Sequence, residues 1–540
     1  MLFNSYIFLF GFLPVVLAGF YVLGARRRDW ALLWLTAVSL VFYAWWRPIN
    51  VALIAPSILI NYCLARALQH FGEARPVAAK AVLCSGIAFN LCFLGYFKYL
   101  GFLENVANDL FGAEFVVTQL ILPLGISFIT FQKIAFLVDV QAGRVTNFSF
   151  REYALFVLFF PQLVAGPIVH YREMMPQFEA VRCRFDAEDF AVGLSLFFFG
   201  LAKKLVLADP LSRLVSPLFA AAGRGQPPTL TDAWIAALGF TLQIYFDFSG
   251  YSDMALGLAR FFGIKLPVNF NSPLKAASMI DFWLRWHVSL TRFLTGYLYN
   301  PIVLNLTRRR MAAGKPVFGG RNTTMSSFGM LLAGPTILTM LVSGIWHGAG
   351  YTYILWGLLH GVLLSINHAW RVLRPRFWPD TKTYARIMPP VGYVLTFSAV
   401  VFAMAMFRAP TAASAVAVWK GMLGLNGIAL PQALFSRLGP VADFLSAMGV
   451  HGVWSSGTLF RDSVLRISAL LIVTLGFPNT LQLLARYEPA IGVRPAKQEP
   501  RLVRLLRWSP GVGWAVGLAV VAMAGILSLG ELSEFLYWQF

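Results

Sequence analysis

The sequence predicts an all-α, polytopic membrane protein, and three observations carry that prediction. Its 540 residues are 58% hydrophobic and only 13% charged, with a mean hydropathy of +0.67, whereas soluble domains carry about 25% charge. Long apolar segments recur along the chain, enough for about 11 to 13 transmembrane helices. The 44 Lys and Arg residues fall mostly between alternate segments. Hydrocarbon offers no partner to backbone N–H and C=O groups, so spans of this length are read as helices.

The segments are taken in chain order, with approximate bounds set by hydropathy. The first, near 3–24, is preceded by no basic residue and followed by Arg26, Arg27 and Arg28. That is the reverse of a secretory signal, so it reads as an uncleaved span with its N-terminus outside. Further spans are expected near 30–46, 50–68, 80–99 and 118–141. Residues 153–169 are apolar but short and broken by Pro161 and Pro167, which suggests a re-entrant piece beside a cavity. Spans near 187–208 and 232–256 precede a basic inner loop over about 257–325. Within it, 281–304 reads as one amphipathic helix lying in or under the interface, with Trp283, Trp286, His287, Leu290, Leu294 and Leu298 on or near one face. Spans near 326–345, 350–370 and 388–407 lead into an extracytoplasmic loop region over about 408–465, and two spans near 465–485 and 511–530 complete the set.

Orientation follows from the basic residues. With the N-terminus outside, inner loops hold roughly 31 of the 44 Lys and Arg. The last ten residues carry two Glu and no basic group, which suits an outside C-terminus and an even number of crossings. The net charge of +20 is therefore read as membrane topology, since no nucleic-acid-binding motif accompanies it. The four cysteines form no CxxC pair, so neither a disulfide framework nor a metal site is indicated. The whole chain, 1–540, reads as a single membrane-embedded domain.

His347 carries the strongest functional signal. It lies in Ser343-Gly344-Ile345-Trp346-His347-Gly348-Ala349-Gly350 with apolar sequence on both sides. An ionisable group at that depth costs about 2.5 kcal/mol or more on insertion scales and is a functional hypothesis by default. Histidine is also the side chain that takes up and returns protons near neutral pH. Gly344, Gly348 and Gly350 would let a substrate or another backbone approach closely. His287, in Trp283-Leu284-Arg285-Trp286-His287, is the second candidate; facing the same tunnel, it could orient a substrate or stabilise an oxyanion.

Other polar residues have plainer readings. Asp247 and Asp253 lie six residues apart and about 120° apart on a helix, so they are not an acid/base pair on one face, and pairing to inner-loop arginines is expected. Lys133 and Asp139 have the same spacing and the same reading. Gln162, Trp286 and Trp346, together with Asp247 and Asp253, are expected to line or support a tunnel. His360 and His368 read as interfacial groups. The inner-loop residues Arg308, Arg309, Arg310, Lys315 and Arg321 suit the phosphates of a cytosolic cofactor, because guanidinium forks match phosphate geometry. No P-loop, dinucleotide fingerprint or nucleophile elbow is present.

Several longer motifs run in order through nearly the whole chain. They are Met1-Leu2-Phe3-Asn4-Ser5, Leu122-Pro123-Leu124-Gly125-Ile126-Ser127-Phe128, Pro161-Gln162-Leu163-Val164-Ala165-Gly166-Pro167, Phe246-Asp247-Phe248-Ser249-Gly250-Tyr251-Ser252-Asp253, Asn269-Phe270-Asn271-Ser272-Pro273, Phe282-Trp283-Leu284-Arg285-Trp286-His287, Trp346-His347-Gly348 and Phe535-Leu536-Tyr537-Trp538-Gln539-Phe540. Together they resemble the membrane-bound O-acyltransferase family, in particular its bacterial alginate O-acetyltransferase branch, with 408–465 outside the resemblance. The resemblance implies a ring of helices, thin at its centre, with His347 and His287 meeting in a tunnel. It implies an acetyl group taken from cytosolic acetyl-CoA, with no permanently bound cofactor. The acetyl group would pass across the bacterial inner membrane, through a periplasmic partner, to an extracytoplasmic polysaccharide. The rival reading is a polysaccharide-export or proton-coupled transporter subunit using Asp247, Asp253, Lys133 and His347 as a pathway. No internal symmetry of the kind such transporters show is apparent.

Overall fold

The computed structural model describes residues 1–118, 120–319, 323–453, 457–530 and 536. Among the described residues helices dominate, and seven of them are long and apolar enough to cross a membrane: Ile7–Arg26, Ile49–Phe71, Pro76–Phe111, Ala187–Gly223, Met325–His347, Thr381–Arg408 and Val512–Gly530. Each falls on a segment expected from hydropathy. Arg28–Ala44, Leu230–Arg260, Tyr351–Phe377 and Gly457–Gly476 are also helical where spans were expected. The chain forms two compact units, one of residues 1–202, 250–269 and 480–531, the other of residues 203–249, 270–479 and 532–540.

In the first unit, aromatic packing organises the core. Phe8, Phe42, Phe160 and Phe262 lie ring against ring, with centroids 6.1 Å (Phe8–Phe42), 5.5 Å (Phe42–Phe160) and 5.9 Å (Phe160–Phe262) apart. The N-terminal motif joins this core through Phe3, which stacks on Tyr251 at 4.9 Å. Offset and edge-to-face aromatic pairs add about 0.5–1.5 kcal/mol each beyond burial. The helix Ala187–Ala202 meets the end of Leu230–Arg260 at small residues: a Cβ on Gly200 would run into the Gly250 carbonyl, and one on Gly193 into that of Gly257. Such contacts let backbones pack closely where lipid gives no hydrophobic drive.

The segment 153–169 is broken as expected, but its free backbone groups are satisfied differently. A capping box of Ser149 and Glu152 starts Phe150–Leu158, and the helix stops at Phe159 before Pro161. Past the break, the Phe160 N–H donates to Ser39 Oγ (3.2 Å) and Gln162 Nε2 donates to the Phe156 carbonyl (2.7 Å). Side chains, not a cavity, take up these two groups, and the whole segment is buried. The expected span 118–141 is also shorter, since Ile126–Gln141 begins only after Gly125. That residue has φ +64°, and a Cβ there would meet the Leu163 carbonyl, so only glycine suits the turn. Near 465–485 the helix ends at Gly476, before Pro478.

The second unit corrects two further expectations. Residues 281–304 are not one helix. Met279–Trp283 and Val288–Leu294 are separated by a turn in which His287 has φ +42°. The Arg285 carbonyl, freed at this break, accepts from the Asn271 N–H (2.9 Å). The region 408–465 holds the helix Ala412–Met422 and a parallel strand pair, Ile428–Pro431 with Val450–Val453, in register Ile428↔Val450. A three-residue apolar run followed by proline, Ile428-Ala429-Leu430-Pro431, carries no helical period, and hydropathy alone did not distinguish it from loop.

Candidate active site

The site is built within the second unit from an antiparallel helix pair and a broken helix. Gly334–His347 and Tyr351–Phe377 form the pair. A Cβ on Gly344 would collide with the Tyr353 carbonyl and the Gly357 backbone, and one on Gly357 with the Met340 carbonyl. Close approach by another backbone, one of the two uses foreseen for Gly344, is the one realised. Gly357→Ala is therefore expected to destabilise the protein by about 1–3 kcal/mol, read as a lower midpoint of thermal unfolding in detergent. An unchanged midpoint would show that the pair tolerates separation.

This contact seats His347, the last helical residue, among aromatic rings. Its imidazole lies 4.9 Å from Trp346, 5.2 Å from Trp356 and 5.5 Å from Phe407, centroid to centroid. His287 approaches from the broken helix, 4.8 Å from Phe248 and 6.4 Å from Phe270. The two histidine rings are 6.3 Å apart. Two imidazoles at that separation can serve one reacting group. His347 is 6% exposed and His287 fully buried.

The two imidazoles are differently placed. His287, outside the apolar spans, is pushed by burial down from the ordinary histidine range to about 3. At neutral pH it is an uncharged ring, able to donate one hydrogen bond and accept another. Trp286, stacked on Phe282 (5.6 Å) and edge-on to Phe270 (5.1 Å), and Trp346, 6.1 Å from His287, complete the enclosure.

Asp247 precedes Phe248, whose ring packs edge-on against His287. Its expected partner was an inner-loop arginine; the structure instead pairs it with Lys204 (2.7 Å), which also meets Asp209 (2.7 Å). The Leu536 N–H donates to Asp247 Oδ2 (3.3 Å), tying the described part of the C-terminal motif to this node. Lys204 was missed, although an ammonium between Leu201 and Leu205 was a legible signal. Asp253 and Gln162 belong to the first unit, where both are buried. In that unit Asp139 pairs with Arg144 (3.1 Å), the arginine pairing expected, whereas Lys133 donates to Ser57 Oγ (2.5 Å).

The basic candidates divide. Arg308, Arg309 and Lys315 are exposed around the end of Asn300–Ala312. Arg310 is buried, donating from Nε to the Pro316 carbonyl (2.9 Å) and from Nη1 to Ser326 Oγ (3.2 Å). It holds the loop rather than presenting its guanidinium to solvent. Arg321 lies outside the described residues. His360, read as interfacial, is fully buried. Phe248, Phe270, Trp356 and Phe407 were not singled out, because an aromatic in an apolar segment carries no signal separating site from core.

Known proteins share much of this sequence. A profile of MBOAT, the membrane-bound O-acyltransferase family, matches residues 139–315. The chain is 38% identical to a peptidoglycan O-acetyltransferase of Helicobacter pylori, over 80% of this chain and 81% of that protein. It is 34% identical to a probable alginate O-acetylase of Pseudomonas putida, with both proteins covered completely. A teichoic acid D-alanyltransferase of Bacillus subtilis is 26% identical over 54% of this chain and 69% of its own.

Proposed function

Since the chain belongs to the membrane-bound O-acyltransferase family and is a multi-pass O-acyltransferase, we propose that it takes acetyl groups from cytosolic acetyl-CoA for O-acetylation of an extracytoplasmic polysaccharide. The observation that carries the reading is the pair of buried histidines, 6.3 Å apart in an aromatic enclosure. His347 acts as general base on the acceptor hydroxyl. As the hydroxyl oxygen bonds to the acyl carbon, the C–S bond breaks, and the proton held by His347 passes to the departing thiolate. His287, neutral, polarises the thioester carbonyl through its N–H. A covalent acyl-histidine stage is an alternative route to the same products.

Arg308, Arg309 and Lys315 are the residues proposed to hold the CoA phosphates. Replacing both Arg308 and Arg309 by glutamine is expected to raise KM for acetyl-CoA several-fold and leave kcat nearly unchanged, because phosphate contacts are the same in ground and transition states. A fall in kcat at constant KM would contradict that role.

The low pKa of His287 gives a pH test. The folded protein keeps this ring neutral from pH 8 down to about 3, so changes in turnover between pH 5 and 8 belong to other groups. His287→Asn is expected to lower kcat while leaving the shape of the pH profile intact. Loss of an inflection near neutral pH would show that His287 itself titrates there.

The inner membrane and a periplasmic partner belong to the same reading. The relatives named for alginate and peptidoglycan leave the acceptor to experiment. Purified protein in nanodiscs, given radiolabelled acetyl-CoA with alginate, peptidoglycan or other exopolysaccharide, should label one of them. Labelling that requires periplasmic extract identifies a partner that completes the transfer. Label retained only in acetyl-CoA under every condition would contradict the proposal.

A further inference from the structure

Two buried hydrogen-bond donors, one beside His347 and one a helical turn beyond it, are left unused by the chemistry assigned to the histidine pair. His360, fully buried in Tyr351–Phe377, accepts from Trp283 Nε1 at its Nδ1 (3.2 Å). A neutral imidazole that accepts at Nδ1 carries its proton on Nε2, and this Nε2 has no partner among the described residues. Trp356, one turn earlier on the helix and 1% exposed, likewise has a buried Nε1 without a partner among the described residues. An unmade hydrogen bond at a buried polar group is costly, and such a group calls for an explanation. Two on consecutive turns, with rings 4.6 Å apart, form a cluster.

Their placement suggests what they serve. The Trp356 ring lies edge-on to His347 at 5.2 Å, so a group reacting at His347 lies beside the indole. His360 is one turn, about 5.4 Å, further toward the helix end that carries Arg374 and Arg376. An acyl-CoA reaching His347 from a basic face would run past His360 first and Trp356 second. Its arm offers carbonyl oxygens at a similar spacing, one on the thioester and one on the nearer pantetheine amide. Both sites are neutral N–H donors, which suits neutral carbonyls rather than phosphates.

We propose that Trp356 Nε1–H and His360 Nε2–H form a two-donor subsite for the thioester and pantetheine-amide carbonyls of the acyl donor. The subsite rests on the acyl-CoA reading given above. It makes His360 a binding residue, with its Nδ1 engaged by the tryptophan four residues before His287.

Two unreactive ligands test it in nanodiscs, by equilibrium binding rather than turnover. One is the ketone analogue of acetyl-CoA in which CH2 replaces the thioester sulfur. The other is S-ethyl-CoA, which keeps the pantetheine amides but lacks the acyl carbonyl. The native protein should bind the ketone at least about five- to tenfold more tightly, the worth of one hydrogen bond or more. Trp356→Phe should cut that preference about five- to tenfold, leaving the share of the His287 N–H. His360→Phe should weaken both ligands by about five- to tenfold and keep the preference, and His360→Gln, which can still accept and donate, should recover most of the loss. Equal native affinities, unchanged affinities in His360→Phe, or no recovery in His360→Gln would each overturn the subsite. Binding of neither analogue by the native protein would overturn the acyl-CoA reading itself, and the subsite with it.

Discussion

His347→Ala is expected to lower acyl transfer by about 10²- to 10⁴-fold, the range over which a positioned general base contributes, with membrane insertion intact. The expectation rests on where the residue sits. It ends a helix that Gly344 and Gly357 hold against its neighbour, and Trp346, Trp356 and Phe407 fix its ring. Alanine leaves that frame and removes the imidazole proposed to carry the acceptor proton, a task His287, held neutral by its burial, does not take over. His347→Gln keeps a polar side chain of similar length but cannot accept a proton, so it should be as inactive as alanine. Activity restored by glutamine would assign His347 to hydrogen bonding alone.

Lys204→Met should give the largest loss of stability. Lys204 is 1% exposed and lies between Asp247 and Asp209, which are 3% and 11% exposed. Removing the cation leaves Asp247 buried beside the Asp209 carboxylate without its Lys204 counter-charge, and breaking a buried pair in this way costs about 3–5 kcal/mol. Adding Asp247→Leu should return most of that loss, since an apolar replacement of both partners is often neutral. Thermal unfolding of the single and double variants measures this. A double variant no more stable than Lys204→Met would show that Asp247 matters through its hydrogen bond from Leu536 rather than through its charge.

The legibility of this chain varied with the physics of each feature. Apolar runs of span length were readable because lipid admits little else, and all seven of the long apolar helices fall where expected. His347 was readable for the same reason in reverse, as an ionisable group where solvation is absent. The break at His287 was not, since the amphipathic period of 281–304 continues through it. The Arg285 carbonyl freed at the break takes its hydrogen bond from the distant Asn271 N–H, and no local pattern announces such a bond. Asp247 was correctly expected to be paired, but with the wrong partner, because loop arginines are numerous and Lys204 is a single residue inside an apolar helix. Arg310 shows the limit of counting charge: three consecutive arginines look alike in sequence, yet one is buried under its own loop.

The most direct measurement of the central claim is the rate of CoA release from acetyl-CoA by native protein and by His347→Ala in nanodiscs, with acceptor glycan and periplasmic extract present. The account predicts steady release by the native protein, matched by label on the glycan, and at least about a hundredfold less by the variant. Equal release by both proteins, with label still reaching the glycan, would contradict it and move the chemistry away from the histidine pair.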